Sequence, residues 1–414
     1  MMLLLHIFFA VLPFQLSLGG ISTARILALG IAVILAVDIF RTRRVTIIPL
    51  PALLIGLLLS ILILSGLVAQ DHHWWVRKII FLGNIFVLAA ALMTRTGAEH
   101  RALIQTAVYS GMGAAALLLL LWGAQFIVGT NTIDAVWRTV MAPILFGADV
   151  SSALTIYSSA YVHIGGQDYL RGVGLFPDPH VAAAYMVLLI PPAIALYRHA
   201  AHPIRFGLGI ALLFGALFST FTRGAYVALV GCGMVALAIG IRHAIRNGVI
   251  HLHLRDAVLV GMGMIAIIVA IIATPLGNRI GDIFTADTSV RERLSIYRDS
   301  AAIALDHPIL GVGLGNYPLM INPHADYRDP YYAHNLFLDL AVDGGFAAAL
   351  CIAALLIAAI YRARCVRMGA ALGASVAGYT THNLFDTILF STHVLPLLLL
   401  LLMAIFAQRC ILKS

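Results

Sequence analysis

Residues 289–299, SVRERLSIYRD, run on through HPILGVGLGNY at 307–317 to YYAHNLFLDL at 331–340, an arginine-rich polar excursion set between two apolar runs. Almost everything around it is apolar enough for a membrane. The stretch from Thr274 to Asp339 is therefore where polar chemistry can be housed. The chain has 414 residues, of which 61% are hydrophobic and only 11% charged, and its mean hydropathy is +0.98. Those values exclude an ordinary soluble surface.

Apolar runs of about 17–25 residues, long enough to cross a hydrocarbon core of about 30 Å as helices, begin near residues 2, 21, 47, 79, 102, 181, 204, 224, 256, 335, 368 and 392. Lipid-facing backbone must satisfy its hydrogen bonds within its own segment, and the runs lack the alternation of a barrel strand. The expected fold is all-α: a polytopic membrane protein with about 12 transmembrane helices, forming a single integral membrane domain over 1–414. The first run, MLLLHIFFAVL, resembles a signal peptide but has no basic residues ahead of it, and is taken as the first span.

Basic residues set the orientation. The loops after even-numbered spans hold Arg41, Arg43, Arg44, Arg95, Arg101, Arg198, Arg205, Arg242, Arg246, Arg255, Arg362, Arg364, Arg367, Arg409 and Lys413, 15 of the 26 basic residues against three of the 18 acidic ones. The positive-inside rule then places both termini in the cytoplasm. This asymmetry accounts for the net charge of +8 without nucleic acid, since no basic stripe is interleaved with aromatics. Cys232, Cys351 and Cys410 fall in apolar spans and Cys365 in a cytoplasmic loop, so no disulfide framework or CxxC metal pattern is expected.

Two long loops face the other side, 129–180 and 275–334, and loops of that length in a compact protein are usually functional. In the second, Ser289 and Glu292 form an S-x-x-E capping box, and Val290, Leu294, Tyr297 and Ala301 follow at helical spacing. An amphipathic helix is expected to run to about Leu305 and to break at His307-Pro308 and Gly311. On it Arg291, Ser295 and Arg298 share a face. Two guanidiniums there suit either lipid headgroups or a phosphate clamp. Arg223, in STFTRGAY, stands at the outer junction of spans seven and eight, where an arginine is costly unless it is paired or lines a polar cavity; snorkelling is the plainer reading.

His334 precedes span ten, with Asn335 as its expected N-cap. The positive end of that helix disfavours imidazolium and leaves the ring able to accept a proton near pH 7. His382-Asn383-Leu384-Phe385, followed by Asp386, repeats the His-Asn-Leu-Phe of 334–337 near the outer end of span eleven and is expected to place a second polar pair at the same cavity, or to be a buried histidine. Gly311, Gly313 and Gly315 do not make a nucleotide loop, since no strand precedes them; a turn that lets backbone approach a ligand is expected. His324, Asp326, Asp329 and His334 match no standard zinc or magnesium spacing, and no metal or other cofactor is expected.

RGVGLFPDPHVAAAY at 171–185, STFTRGAY at 219–226, VRERLSIYRDSAAIALDHPILGVGLGNY at 290–317 and YYAHNLFLDLAVDGG at 331–345 together resemble, in order and spacing, the O-antigen ligase and polymerase superfamily, over roughly 160–390. The departures are His180 where an Asn is common, and Thr222 where the Ser of an S-R pair is usual. The resemblance implies a GT-C-like fold in the bacterial inner membrane, an active site facing the periplasm, and a donor glycan on undecaprenyl diphosphate. It also implies Arg223 and Arg291 as diphosphate contacts and His334 as the catalytic group, with Arg171, Arg298, His382 and Asp386 as secondary candidates. The acceptor would be lipid A core in a ligase or a second lipid-linked glycan in a polymerase, with transfer to protein a third possibility; the compact chain points to the ligase. A transporter of lipid-linked oligosaccharide is the rival from another class, but it would hold polar residues near the bilayer midplane, whereas these cluster at the outer face. No external DxD pair occurs, so turnover is expected to survive a chelator; an assay of purified protein that loses activity in EDTA and regains it with Mg²⁺ or Mn²⁺ would refute this.

Overall fold

The run Val394–Phe406, VLPLLLLLLMAIF, is apolar on every side, and every residue of it is buried. A helix without a polar face belongs inside the protein, and here it is enclosed by neighbouring helices. The computed structural model describes residues 1–18, 21–42, 48–147, 160–164, 166–246, 288–327 and 331–408.

Helices of the first half are α1 (Met2–Val11), α2 (Thr23–Thr42), α3 (Pro49–Leu64), α4 (His72–Met93), α5 (Gly97–Val128), α6 (Thr130–Val136) and α7 (Ala142–Phe146). Those of the second half are α8 (Pro179–Tyr197), α9 (Pro203–Ser219), α10 (Arg223–Arg246), α11 (Thr288–Asp306), α12 (Tyr317–Ile321), α13 (Leu336–Ala363), α14 (Gly369–His382) and α15 (Val394–Phe406). Strands are confined to two small antiparallel pairs, β1 (Ser17–Leu18) with β2 (Ile21–Ser22) and β3 (Tyr161–Ile164) with β4 (Gln167–Leu170).

Among the described residues, seven helices are long and apolar enough to cross a membrane, namely α2, α3 with its extension to Leu67, α4, α5, α8, α10 and α13. Three shorter apolar helices, Met2–Phe14, α9 and α15, accompany them. Large apolar side chains such as Leu29, Phe40, Leu53, Ile80, Leu120, Ile204, Met234 and Ile357 point outward from these helices, a surface suited to lipid and not to water. The expected ninth span near residue 256 lies outside the described residues, as do Arg43, Arg44, Arg255, Asp329, Arg409, Cys410 and Lys413. Span four begins earlier than its apolar run: Asp71 caps α4 by accepting from the backbone of His73 and Trp74, which brings Arg77 and Lys78 into the helix.

The 129–180 segment is tied to the bundle. Gln125 on α5 accepts from the Leu170 backbone N–H at 2.8 Å, and Trp122 and Trp137 donate to the carbonyls of Leu170 and Gly174, each at 3.0 Å. Cys232 and Cys351 are free and buried, but Cys365 is disulfide-bonded, which corrects the expectation of no disulfide. Spacing along the chain could not reveal it; Arg362 and the Arg367 backbone both bond Gln408, so the 362–367 turn meets the far end of α15.

α13 is broken at Gly345, whose φ is +79°. The backbone groups freed there are taken up by the 307–315 strap: Val312 N–H donates to the Val342 carbonyl at 2.8 Å, and Phe346 N–H to the Pro308 carbonyl at 3.0 Å. Buried backbone groups need such partners. The glycines of GVGLGNY serve this fit. They bring the strap against the protein's own backbone, where the sequence suggests a ligand: a Cβ on Gly313, at φ +97°, would lie 2.6 Å from the Ala69 Cα. Gly313→Ala is expected to cost about 1–3 kcal/mol in backbone strain and a similar amount in overlap. The melting temperature in detergent should therefore fall by several degrees, while Gly123→Ala, which meets nothing within 4 Å, should leave it unchanged or raise it.

Candidate active site

Four segments converge at one end of the bundle: the start of α8, the start of α10, the start of α13, and the turn between α14 and α15. The two His-Asn-Leu-Phe copies touch directly, since Leu336 N–H donates to the Asn383 carbonyl at 2.9 Å and the Asn335 side chain to the Leu384 carbonyl at 3.2 Å. Asn335 caps α13 as expected, accepting from Phe337 and Leu338. Asp339, one turn into α13, accepts from Ala333 N–H at 2.8 Å and from the Thr387 hydroxyl, and so fixes both strands of chain beside the site.

The centre of the convergence is Asp386. Its Oδ2 lies 2.7 Å from His180 Nδ1, and its Oδ1 lies 3.5 Å from His334 Nδ1 while accepting from Thr387 N–H at 2.8 Å. The longer distance is an electrostatic contact and not a well-formed hydrogen bond. Burial alone would raise the Asp386 pKa, but the charge and hydrogen bond of His180, then His334 and His382, hold it well below the ordinary carboxylate value. Asp386 is thus an anion at neutral pH. A carboxylate beside one ring nitrogen fixes the orientation of the imidazole and the role of the other nitrogen. His334 has Nδ1 enclosed and a side chain 34% exposed, which leaves Nε2 as the nitrogen open to a substrate. Nothing in the sequence at the start of α13 reveals this carboxylate, which comes from the turn between α14 and α15.

His334 occupies a left-handed backbone conformation, φ +49°, and Phe221, just before Arg223, is at φ +50°. Non-glycine residues there are uncommon and cluster where function demands a fixed geometry. Tyr297 on α11 holds the first of these turns by donating to the carbonyls of His334 at 3.2 Å and Leu384 at 3.0 Å. Burial, ahead of any charge, raises the Tyr297 pKa, so its hydroxyl remains a donor.

Tyr297 also defines which face of α11 meets the site. Ser300 is buried, bonding the Ile296 carbonyl at 2.7 Å and the Tyr317 hydroxyl at 2.8 Å, and Ala304 is buried as well, whereas Leu294 is 56% exposed. The packed face therefore carries Tyr297, Ser300 and Ala304 and, one turn before Tyr297, Arg293. Tyr297 of the expected apolar stripe packs there but Leu294 does not, and the buried face turns toward Ser300, because a serine whose hydroxyl is satisfied can be buried. Arg293, half-buried, acts electrostatically on Tyr297 and His382; sequence reasoning passed over it. Arg291 and Arg298 are exposed and lie about 160° and 140° around the helix from Arg293. The helix begins at Thr288, so Ser289 falls within its first turn instead of preceding it.

Arg223 opens α10 and is half-buried. The adjacent Gly224 packs on the α14–α15 turn, with its Cβ position 3.4 Å from the Phe385 Cβ. Arg171 is buried and donates to the Thr220 carbonyl at 2.7 Å and to the Thr222 hydroxyl at 2.9 Å, so it braces the turn that presents Arg223. His382 is buried, and among the described residues neither ring nitrogen has a hydrogen-bond partner. Lys78, also missed, sits with its ammonium 4.1 Å from the centre of the Phe390 ring and acts on Asp339 and Asp343. Its signal was a lysine at the mouth of span four.

The structure brings His180, His334, His382 and Asp386 together and places Arg293 near them. It puts Arg171 under the turn before Arg223, and Arg291 and Arg298 on the outward face of α11. Beside this cluster, a small, mainly apolar cavity of about 60 Å³ runs between α5, α6 and the 170–179 segment, reaching Arg171 and Asp178.

Residues 208–353 match the O-antigen ligase family model, which supports the O-antigen ligase and polymerase superfamily for this chain. Members of that family are glycosyltransferase-like ligases and polymerases. The matched region contains Arg223, Arg291, Arg293 and His334 and stops before His382 and Asp386. No curated protein matches the chain. The depressed pKa of Asp386 carries a test. A carboxylate of this kind contributes stability that is fully present above the unfolded value of about 3.9 and lost as pH falls through the folded value. The melting-temperature deficit of Asp386→Asn relative to wild type should then be present at about pH 5 and shrink as pH falls below about 4.

Proposed function

We propose that the protein is a metal-independent, inverting membrane glycosyltransferase that moves a glycan from undecaprenyl diphosphate to an acceptor hydroxyl, acting as an O-antigen ligase with lipid A core as acceptor. The observation that carries this reading is His334, with Asp386 behind its Nδ1 and its Nε2 left open, within a region of O-antigen ligase type. That is the arrangement of an oriented general base.

In the proposed step the acceptor oxygen attacks the anomeric carbon while the bond from that carbon to the diphosphate oxygen breaks. The acceptor proton passes to His334 Nε2, and undecaprenyl diphosphate leaves carrying the bonding electron pair. Negative charge grows on the leaving diphosphate, and Arg223 and, on the inner face of α11, Arg293 are assigned to it; Arg291, expected there from the sequence, stands on the outward face of the same helix. Arginine suits this task because its planar fork matches phosphate oxygens and keeps its charge. Fixed cations in a partly dehydrated site stabilise such charge without reorganising, and removing one preorganised donor costs about 10²- to 10³-fold. Loss of a general base costs about 10²- to 10⁴-fold. The site is assigned to the periplasmic face of the inner membrane, with both termini cytoplasmic by the distribution of basic residues.

Polymerisation of lipid-linked repeat units uses the same chemistry with a second donor as acceptor. The test is to incubate detergent-purified protein with an undecaprenyl diphosphate glycan and either lipid A core or more donor, and to identify the product. Glycosylated lipid A core is expected; longer lipid-linked chains alone would make the protein a polymerase, and no product with either would refute the assignment. In the same assay His334→Ala should lose at least about 100-fold and Arg223→Ala about 10²- to 10³-fold. Arg293→Ala should lose more than Arg298→Ala. Full transfer by a His334→Ala, Arg223→Ala double variant would show that neither residue carries the chemistry.

A further inference from the structure

We infer that His180 is a positioning residue for transfer: it anchors one oxygen of Asp386 so that the other is held toward His334. The inference rests on His334 acting as the base. It concerns a residue outside the matched family region.

The shortest contact made by the Asp386 side chain is to His180, 2.7 Å from Oδ2 to Nδ1. On the other oxygen, Thr387 N–H at 2.8 Å and His334 Nδ1 at 3.5 Å complete the set. A carboxyl group turns easily about its last torsion, which is broad and roughly two-fold. Partners on both oxygens remove that freedom. Without His180, Oδ2 would be left without a hydrogen-bond partner among the described residues in a side chain only 14% exposed, a costly state that favours reorientation.

His180 is itself rigidly placed. Asp178 caps α8 by accepting from His180 N–H at 2.6 Å, Pro179 fixes the first helical position, and the body of α8 is buried along its length. Asp386, by contrast, rides on the turn between α14 and α15. The His180 contact thus passes the rigidity of the core helix to the turn that orients the base. Side chains that hold a catalytic group within a fraction of an ångström govern turnover more than binding.

The test compares wild type, His180→Ala and His180→Asn, since asparagine places an amide N–H close to where histidine places Nδ1. His180→Ala is expected to lower kcat for glycan transfer by about 10- to 100-fold with KM unchanged, and His180→Asn to restore most of it. Acylation of His334 by diethyl pyrocarbonate, followed by mass spectrometry, reads the orientation of the ring without any substrate. It should slow several-fold in His180→Ala and recover in His180→Asn. Unchanged kcat in His180→Ala, unchanged or faster His334 acylation, or an asparagine variant as impaired as alanine would each overturn the inference. If wild type itself transfers nothing, the functional reading fails, and the acylation rates alone decide the role of His180. His180→Ser, polar but too short to reach Oδ2, replaces the alanine variant if that does not fold.

Discussion

The contact between Asp386 and His180, 2.7 Å from Oδ2 to Nδ1, joins the first turn of one core helix to the connection between two others, and the catalytic geometry proposed here hangs on it. Asp386 sits on a turn, which has no intrinsic reason to hold one conformation. His180 comes from α8, whose start is fixed by a cap and a proline and whose body is enclosed by other helices. Between them the buried carboxylate is kept ionised, and a buried anion persists only when it is paired and hydrogen-bonded. His334 then inherits its orientation from a group that cannot easily move.

The bundle prepares this end in other ways. α15 is buried on all sides, so the turn leading into it is anchored at its far end. The break in α13 at Gly345 is filled by the 307–315 strap, which leads into the segment that carries His334. Strained backbone at His334 and at Phe221 marks the two turns that present the base and Arg223. Tyr297 bonds carbonyls from both sides of the site, so α11 closes over it as a packed element, and the mainly apolar cavity beside Arg171 opens from the same end of the bundle.

Most of the helical architecture was legible from the sequence, because apolar runs of membrane length have few alternatives. His334, Asn335, His382 and Asp386 were legible too, through a repeated tetrapeptide at two helix ends, and the structure puts the two copies in contact. What escaped was rotation. A helix read by its apolar stripe turns Leu294 inward and Arg291 beside it, yet α11 buries Ser300 because Tyr317 satisfies the hydroxyl, and the helix presents Arg293 instead. The glycines of 311–315 were read as room for a ligand, when the close neighbour was Ala69, more than two hundred residues away in sequence. His180 and Thr222 stood out only as departures from a familiar pattern. Nothing local shows that each bonds a residue far along the chain, Asp386 in one case and Arg171 in the other.

The central claim is that His334 and Asp386 act as one unit in the chemical step. A double-mutant cycle on single-turnover glycan transfer tests it, because groups that act as a unit are strongly non-additive. If Asp386 works by orienting His334, Asp386→Asn will slow wild type substantially but slow His334→Ala hardly further. An equal loss in both backgrounds would show that the two residues act independently and would contradict the account.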